Sequence, residues 1–174
     1  MDDLAEAVRA VIRDVPDFPK PGILFKDITP VLAEPKLFVR VLRWIGEQYR
    51  FEGVDRIVGI ESRGFILGAG LVDDLGAGFV PARKGGKLPY ETVSVEYALE
   101  YGSATLQMHV DAINPGQRVL IVDDLLATGG TAAATVDLVR RLGGEVVGCV
   151  FMVELGFLEG RNRLDVPVKA LITY

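Results

Sequence analysis

The chain predicts an α/β fold in one domain, a central, mostly parallel sheet flanked by helices, on three observations. From residue 54 onward short aliphatic runs alternate with stretches of helical period, the order expected of strands joined by crossover helices. The run Val119-Leu120-Ile121-Val122 is aliphatic at every position, as in a strand covered on both faces. The length of 174 residues fits a single core-bearing domain, against a norm of roughly 100–200 residues per domain. Composition agrees: 49% hydrophobic and 25% charged residues is ordinary globular usage, which removes disordered, collagenous and coiled-coil readings.

In chain order, Leu4, Ala7, Val8, Val11 and Ile12 repeat on one face, so an amphipathic helix opens the chain and stops before Pro16. Asp14 to Pro30 holds Pro16, Pro19, Pro21, Gly22 and Pro30, too many breakers for regular structure. Phe18, Ile23, Leu24, Phe25 and Ile28 are spread through it, and the expectation is a packed loop. A second helix begins near Pro35, with Leu37, Phe38, Val41, Leu42, Ile45 and Tyr49 on one side. Arg56 to Ile60 reads as a strand and Phe65 to Leu75 as a helix, in which Gly68-Ala69-Gly70 serves close packing. Gly78 to Ala82 and Val119 to Val122 are further strands. Thr131 to Leu142 is a helix stopped by Gly143-Gly144, with Arg140 and Arg141 at its negative end. Glu145 to Val153 and Val168 to Thr173 complete the sheet.

One section breaks this pattern. Val93, Val95 and Tyr97 alternate with Ser94, Glu96 and Ala98, and Leu106, Met108 and Val110 alternate with Thr105, Gln107 and His109. That is an antiparallel hairpin inserted into a parallel fold. Before it, Arg83-Lys84-Gly85-Gly86-Lys87-Leu88-Pro89 is basic and glycine-rich without apolar period, and is expected as an exposed, mobile loop.

Lys and Arg total 19 against 24 Asp and Glu, a net charge of -5, so no general positive field gathers nucleic acid or anionic lipid. Any anion must be held by a local site. The single cysteine, Cys149, lies in an apolar strand and has no internal disulfide partner, and it and the lone His109 are expected to pack rather than react. No basic-then-apolar leader follows Met1 and no apolar run approaches the roughly 18 residues of a membrane span, so a cytoplasmic protein without a membrane segment is expected.

Ligands of open parallel sheets bind beyond the carboxyl ends of the strands. The strongest candidate is therefore the segment Val119 to Thr131, where a buried strand delivers Asp123 and Asp124, then the small-residue loop Ala127-Thr128-Gly129-Gly130-Thr131, then a helix. Backbone N–H groups and the hydroxyls of Thr128 and Thr131 at a helix N-terminus suit a phosphate. Carboxylates repel phosphate, so the aspartates point to hydrogen-bond donors such as ribose hydroxyls, or to a bridging metal. The competing reading is a structural turn in which the aspartates cap the helix. A nucleotide P-loop is excluded, because no Lys precedes Thr131. Gly68-Ala69-Gly70 fails as a dinucleotide fingerprint, since Asp73 holds the third glycine position.

The segment Val119 to Thr131 resembles the ribose-phosphate signature of the type I phosphoribosyltransferases. Phe18 to Pro30, Glu61-Ser62-Arg63-Gly64-Phe65 and Leu99-Glu100-Tyr101-Gly102 agree with that family in the same order, so the resemblance spans most of the chain. It implies the single-domain fold of that family, with an N-terminal helix and base-binding hood over residues 1–34 and a flexible catalytic loop and hairpin over residues 83–102. The implied activity is purine salvage, the transfer of a 5-phosphoribosyl group from phosphoribosyl pyrophosphate to adenine, giving AMP and pyrophosphate. The resemblance assigns Asp123 and Asp124 to ribose, and Ala127, Thr128, Gly129, Gly130 and Thr131 to the 5′-phosphate. Ser62, Arg63, Arg83 and Lys87 go to pyrophosphate, with a non-proline cis peptide joining Glu61 to Ser62. Glu100 is placed over purine N7 as the proton-transfer group, because Ala127 stands where 6-oxopurine enzymes carry an acid. Phe25 and Leu125 wall the base slot, and backbone groups of Leu24 and Lys26 read the adenine edge, although the family often has Arg where this chain has Lys26. Mg2+ is implied as a cofactor held mainly through substrate and water, and a homodimer as the assembly. A phosphoribosyl-pyrophosphate-sensing regulator is disfavoured because no helix-turn-helix segment is present, and Phe25, Ala127 and Glu100 favour adenine over xanthine or orotate.

Overall fold

The computed structural model describes residues 2–98 and 103–174. The chain forms two compact units, Met1–Trp44 and Ile45–Tyr174. In the first, α1 (Asp2–Val11) buries Leu4 and Val8, the face that the periodicity selects. The expected irregular loop after it is instead an antiparallel pair, β1 (Arg13–Pro16) and β2 (Leu24–Asp27), with Val15 opposite Phe25. The breakers do not oppose this, because they fall outside the ladder. Pro16 ends β1, while Pro19, Pro21 and Gly22 form the turn, where the Gly22 N–H donates to Asp17 Oδ1 at 2.8 Å. Pro30 sits in the first turn of α2 (Thr29–Ala33), where an amide hydrogen has no partner to lose. Nor is the segment packed throughout: Ile28 is buried, but Phe18 is 51% and Leu24 50% exposed. The next helix, α3 (Pro35–Tyr49), starts in this unit with Leu37 and Val41 buried and ends in the second.

The second unit is built on a seven-stranded sheet of β3 (Arg56–Ile60), β4 (Gly78–Lys84), β5 (Thr92–Ala98), β6 (Ser103–His109), β7 (Arg118–Leu126), β8 (Glu145–Glu154) and β9 (Val168–Thr173). The spatial order is β5-β6-β4-β3-β7-β8-β9. From β4 to β9 the neighbours are parallel, and the β5–β6 hairpin is added antiparallel on the β4 edge. Helices α4 (Arg63–Gly70) and α5 (Val72–Leu75) follow β3, and α6 (Gly130–Arg141) follows β7. Val58, Ile60, Val119, Ile121, Leu138 and Phe151 belong to one buried cluster.

Several boundaries differ from those expected. The helix foreseen over Phe65 to Leu75 divides at Leu71 into α4 and α5. Strand β4 continues past Ala82 because Arg83 and Lys84 pair with Gln107 and Leu106 of β6. Both are therefore strand residues rather than part of a mobile loop. Strand β7 continues past Val122 to Leu126, with Asp123 opposite Phe151 and Leu126 opposite Glu154. Polar side chains end an apolar pattern without ending backbone pairing, so the carboxylates issue from the strand itself.

Candidate active site

The carboxyl ends of β3, β4 and β7, adjacent in the sheet, carry most of the polar residues singled out in the sequence. Beyond β3, a cis peptide joins Glu61 to Ser62, and Arg63 begins α4. Gly64 lets this first turn lie against β7: a Cβ there would stand 2.6 Å from the Val122 carbonyl oxygen and 3.0 Å from Asp123 Oδ1. Arg63 Nε donates to Asp124 Oδ2 at 2.8 Å, and the Asp124 side chain is only 7% exposed. The Asp124 N–H donates to Asp123 Oδ1 at 2.9 Å. Burial, then the neighbouring Asp124 carboxylate, push the Asp123 carboxyl well above the usual range. Burial also raises Asp124, against the opposing pull of the Arg63 guanidinium.

Glu61 gathers the basic residues of the next strand and turn. It accepts from Lys87 Nζ at 2.6 Å, from the Lys84 N–H at 3.0 Å and from Arg83 Nε at 3.4 Å. Burial alone would raise this carboxyl, but the bonds from Lys87, Lys84 and Arg83 outweigh it and hold Glu61 at about 2. Arg83 also lies over the Phe65 ring, 6.0 Å from its centroid, and donates to the Lys87 carbonyl at 3.1 Å.

Beyond β7, a cavity of about 90 Å³ is lined by Asp123, Leu125 and Phe151 together with the loop from Ala127 into the first turn of α6. That volume suits a compact oxyanion. Gly129 enters the helix at φ 80, and among the described residues no side chain caps α6. Its N-terminal amides and the positive end of its dipole are thus directed at whatever fills the cavity. Thr131 Oγ1 donates to the Tyr97 hydroxyl at 3.3 Å, tying the loop to β5.

Ser62, Arg63, Arg83, Lys87, Asp123, Asp124, Leu125 and the loop Ala127 to Thr131 are thus all placed in the second unit, at or just beyond the ends of neighbouring strands. Leu24, Phe25 and Lys26 lie on β2 in the first unit. There the Phe25 ring meets Phe18 edge-on at 5.1 Å, and Lys26 Nζ donates to Asp14 Oδ1 at 2.7 Å. Glu100 lies outside the described residues. Sequence reasoning missed the roles of Glu61, Tyr97 and Gly160. Glu61 stands within the motif Glu61-Ser62-Arg63-Gly64-Phe65, but its partners come from β4 and the turn beyond it. Gly160 lies against the loop: a Cβ on it would fall 2.1 Å from the Ala127 carbonyl oxygen.

Residues 28–169 match the family model described as a phosphoribosyl transferase domain. The chain is 60% identical over 172 residues to a protein of Myxococcus xanthus named adenine phosphoribosyltransferase, an alignment spanning 98% of this chain and 94% of that one. It is similar at TM-score 0.96 and 55% identity to the crystal structure of adenine phosphoribosyltransferase from Rhodothermus marinus, with 100% of both chains covered. The Saccharomyces cerevisiae adenine phosphoribosyltransferase, solved with an imino-altritol bisphosphate and adenine, is similar at TM-score 0.94 and 41% identity, over 99% of this chain and 100% of that one.

Proposed function

The chain belongs to the phosphoribosyl transferase domain family, and on that premise we propose how its residues divide the work of the transfer for which its relatives are named. The activity is adenine phosphoribosyl transfer: adenine displaces pyrophosphate at the anomeric carbon of phosphoribosyl pyrophosphate and yields AMP. The observation that carries the assignment of roles is the uncapped N-terminus of α6, opening with Asp123 into one small cavity.

The amides and hydroxyls of Thr128, Gly129, Gly130 and Thr131, with the backbone of Ala127, hold the 5′-phosphate. Asp123 and Asp124 accept from the ribose hydroxyls, and the Asp124–Arg63 bond fixes where that guanidinium stands. Arg63 and the Ser62 backbone then bind pyrophosphate, joined by Arg83 and Lys87 as these exchange Glu61 for phosphate oxygens. Glu100 exchanges the proton at N7 of the purine, a role resting on the resemblance of Leu99-Glu100-Tyr101-Gly102 to the family. Phe25, Leu125 and the backbone groups of Leu24 and Lys26 are assigned to the base on the family resemblance alone.

Among the described residues, no three His, Cys, Asp or Glu side chains stand together as a metal cage. Mg2+ would therefore be held mainly through substrate and water, with the Asp123 and Asp124 carboxyls at the end of β7 available to its waters. The chemistry that such an ion supplies when bound is neutralisation of charge on the departing pyrophosphate. A homodimer, on the family resemblance, and a cytoplasmic setting, on the lone Cys149, belong to the same proposal. Among the described residues, no helix is long and apolar enough to cross a membrane.

Pyrophosphate release with Mg2+, compared for adenine, hypoxanthine, xanthine, guanine and orotate, tests the reading. Release with adenine alone supports it, and turnover of an oxopurine or orotate at a similar rate overturns the assignment of the base slot.

A further inference from the structure

We propose that Arg161 is a positioning residue for the anion loop, acting through Gly160, so that a turn outside the site sets where the loop's amides stand. The proposal rests on the reading of Ala127 to Thr131 as the phosphate site. Glu154, the last residue of β8, is paired with Leu126, the last of β7, and the Leu155 N–H donates to the Leu126 carbonyl at 2.9 Å. The chain leaving β8 therefore travels beside the loop leaving β7. It turns through the 3-10 segments Gly156–Leu158 and Gly160–Arg163, between which Glu159 adopts the left-handed φ of 51. A non-glycine residue holds that conformation only when its surroundings impose it.

Arg161 supplies the constraint. Its Nε and Nη2 donate to the two carboxylate oxygens of Glu154 at 3.0 and 2.6 Å, and its Nη1 donates to the Val168 carbonyl at 3.0 Å. One guanidinium thus links its own turn to β8 and β9. The Glu154 side chain is 7% exposed, and a carboxylate so buried is a poor source of net stability, since desolvation offsets most of the attraction. What a bidentate fork supplies is direction. The residue it directs is Gly160, whose backbone meets the loop without intervening side chains. A Cβ on Gly160 would stand 2.1 Å from the Ala127 carbonyl oxygen, and a Cβ on Gly129 would stand 2.2 Å from the Gly160 carbonyl oxygen. Two glycines in backbone contact transmit a displacement directly, because nothing between them can rearrange to absorb it. An outward shift of the turn frees the loop to spread, and an inward one compresses it.

The test uses the full-length chain and three variants. Ribose 5-phosphate is titrated calorimetrically, and KM for phosphoribosyl pyrophosphate, KM for adenine, kcat and thermal midpoint are measured alongside. In Gly160→Ala the added methyl pushes on Ala127, and Kd for ribose 5-phosphate and KM for phosphoribosyl pyrophosphate are expected to rise about tenfold or more, with KM for adenine nearly unchanged. Arg161→Lys keeps the charge but loses the fork, and the same split is expected at smaller size. If Gly160→Ala does not fold, Arg161→Lys decides. Weakened thermal stability with an unchanged Kd in the folded variants assigns the turn a merely structural role and overturns the proposal. Thr131→Val separates the two failures. If it and Gly160→Ala both leave ribose 5-phosphate binding unchanged, the phosphate reading of the loop falls; if it weakens binding while the turn variants do not, only the positioning role falls.

Discussion

Replacing Glu61 by Gln isolates the charge that organises the end of β4. In the native chain this carboxyl is lowered from 4.5 to about 2, burial opposing and the bonds from Lys87, Lys84 and Arg83 prevailing. At ~1.36 kcal/mol per pKa unit this sets a ceiling of about 3 kcal/mol. Solvent screens part of it, because the Arg83 and Lys87 side chains are 32% and 47% exposed, and Gln still offers an oxygen to the Lys84 amide. The expected loss at pH 7 is therefore about 1–2 kcal/mol. A carboxyl with a depressed folded-state pKa stabilises fully above its unfolded value and loses that contribution as pH falls through the folded one. The gap between wild type and Glu61→Gln should thus be complete at neutral pH and close progressively between pH 4.5 and about 2. Urea unfolding midpoints at neutral pH and near pH 3 measure it, with slopes compared to confirm that the unfolded state is unaltered. Added salt should narrow the gap at neutral pH as well. A gap that is absent at pH 7, or unchanged on acidification, would refute the claim that Glu61 is held ionised by its three donors.

Glu100→Gln should lower kcat by roughly 10²–10⁴-fold and leave KM for phosphoribosyl pyrophosphate nearly constant, and equal turnover in steady-state assays removes Glu100 from the proton transfer. Asp124→Asn withdraws the carboxylate that holds Arg63 Nε at 2.8 Å. Weaker phosphoribosyl pyrophosphate binding, by about tenfold, is expected in calorimetry, and an unchanged Kd contradicts both the ribose and the Arg63 assignments. The Cys149 thiol is buried, and burial pushes it up to about 12, so it stays neutral through the working pH range. An alkylating reagent near pH 8 should modify it only after denaturation, and labelling of the native chain at the unfolded rate contradicts its burial.

What was legible in the sequence is what local pattern and backbone pairing determine together. Val119 to Val122 announced a strand covered on both faces because burial on both sides leaves every position aliphatic. The same logic fails at the next residue. Asp123 to Leu126 remain in β7, although an apolar pattern has no means of including two carboxylates, one of which, Asp124, meets its partner Arg63 from another strand's end. Breakers misled in the opposite direction between Asp14 and Pro30, where each proline occupies a position at which its missing N–H is not needed. Glu61 stands inside the motif Glu61-Ser62-Arg63-Gly64-Phe65, yet its function as the acceptor of Lys87 and Arg83 depends on β4 lying next to β3. The consequence for the site is chemical. Two of the cations assigned to pyrophosphate, Arg83 and Lys87, share the single carboxylate of Glu61, and the third, Arg63, pairs with Asp124, so substrate must compete with these carboxylates, and the net gain from each contact is smaller than that of an unpaired lysine or arginine. Gly160 extends the argument to a residue with no chemical signature at all. Its importance follows from the absence of a side chain at one backbone crossing, which only the three-dimensional path of the chain after β8 defines.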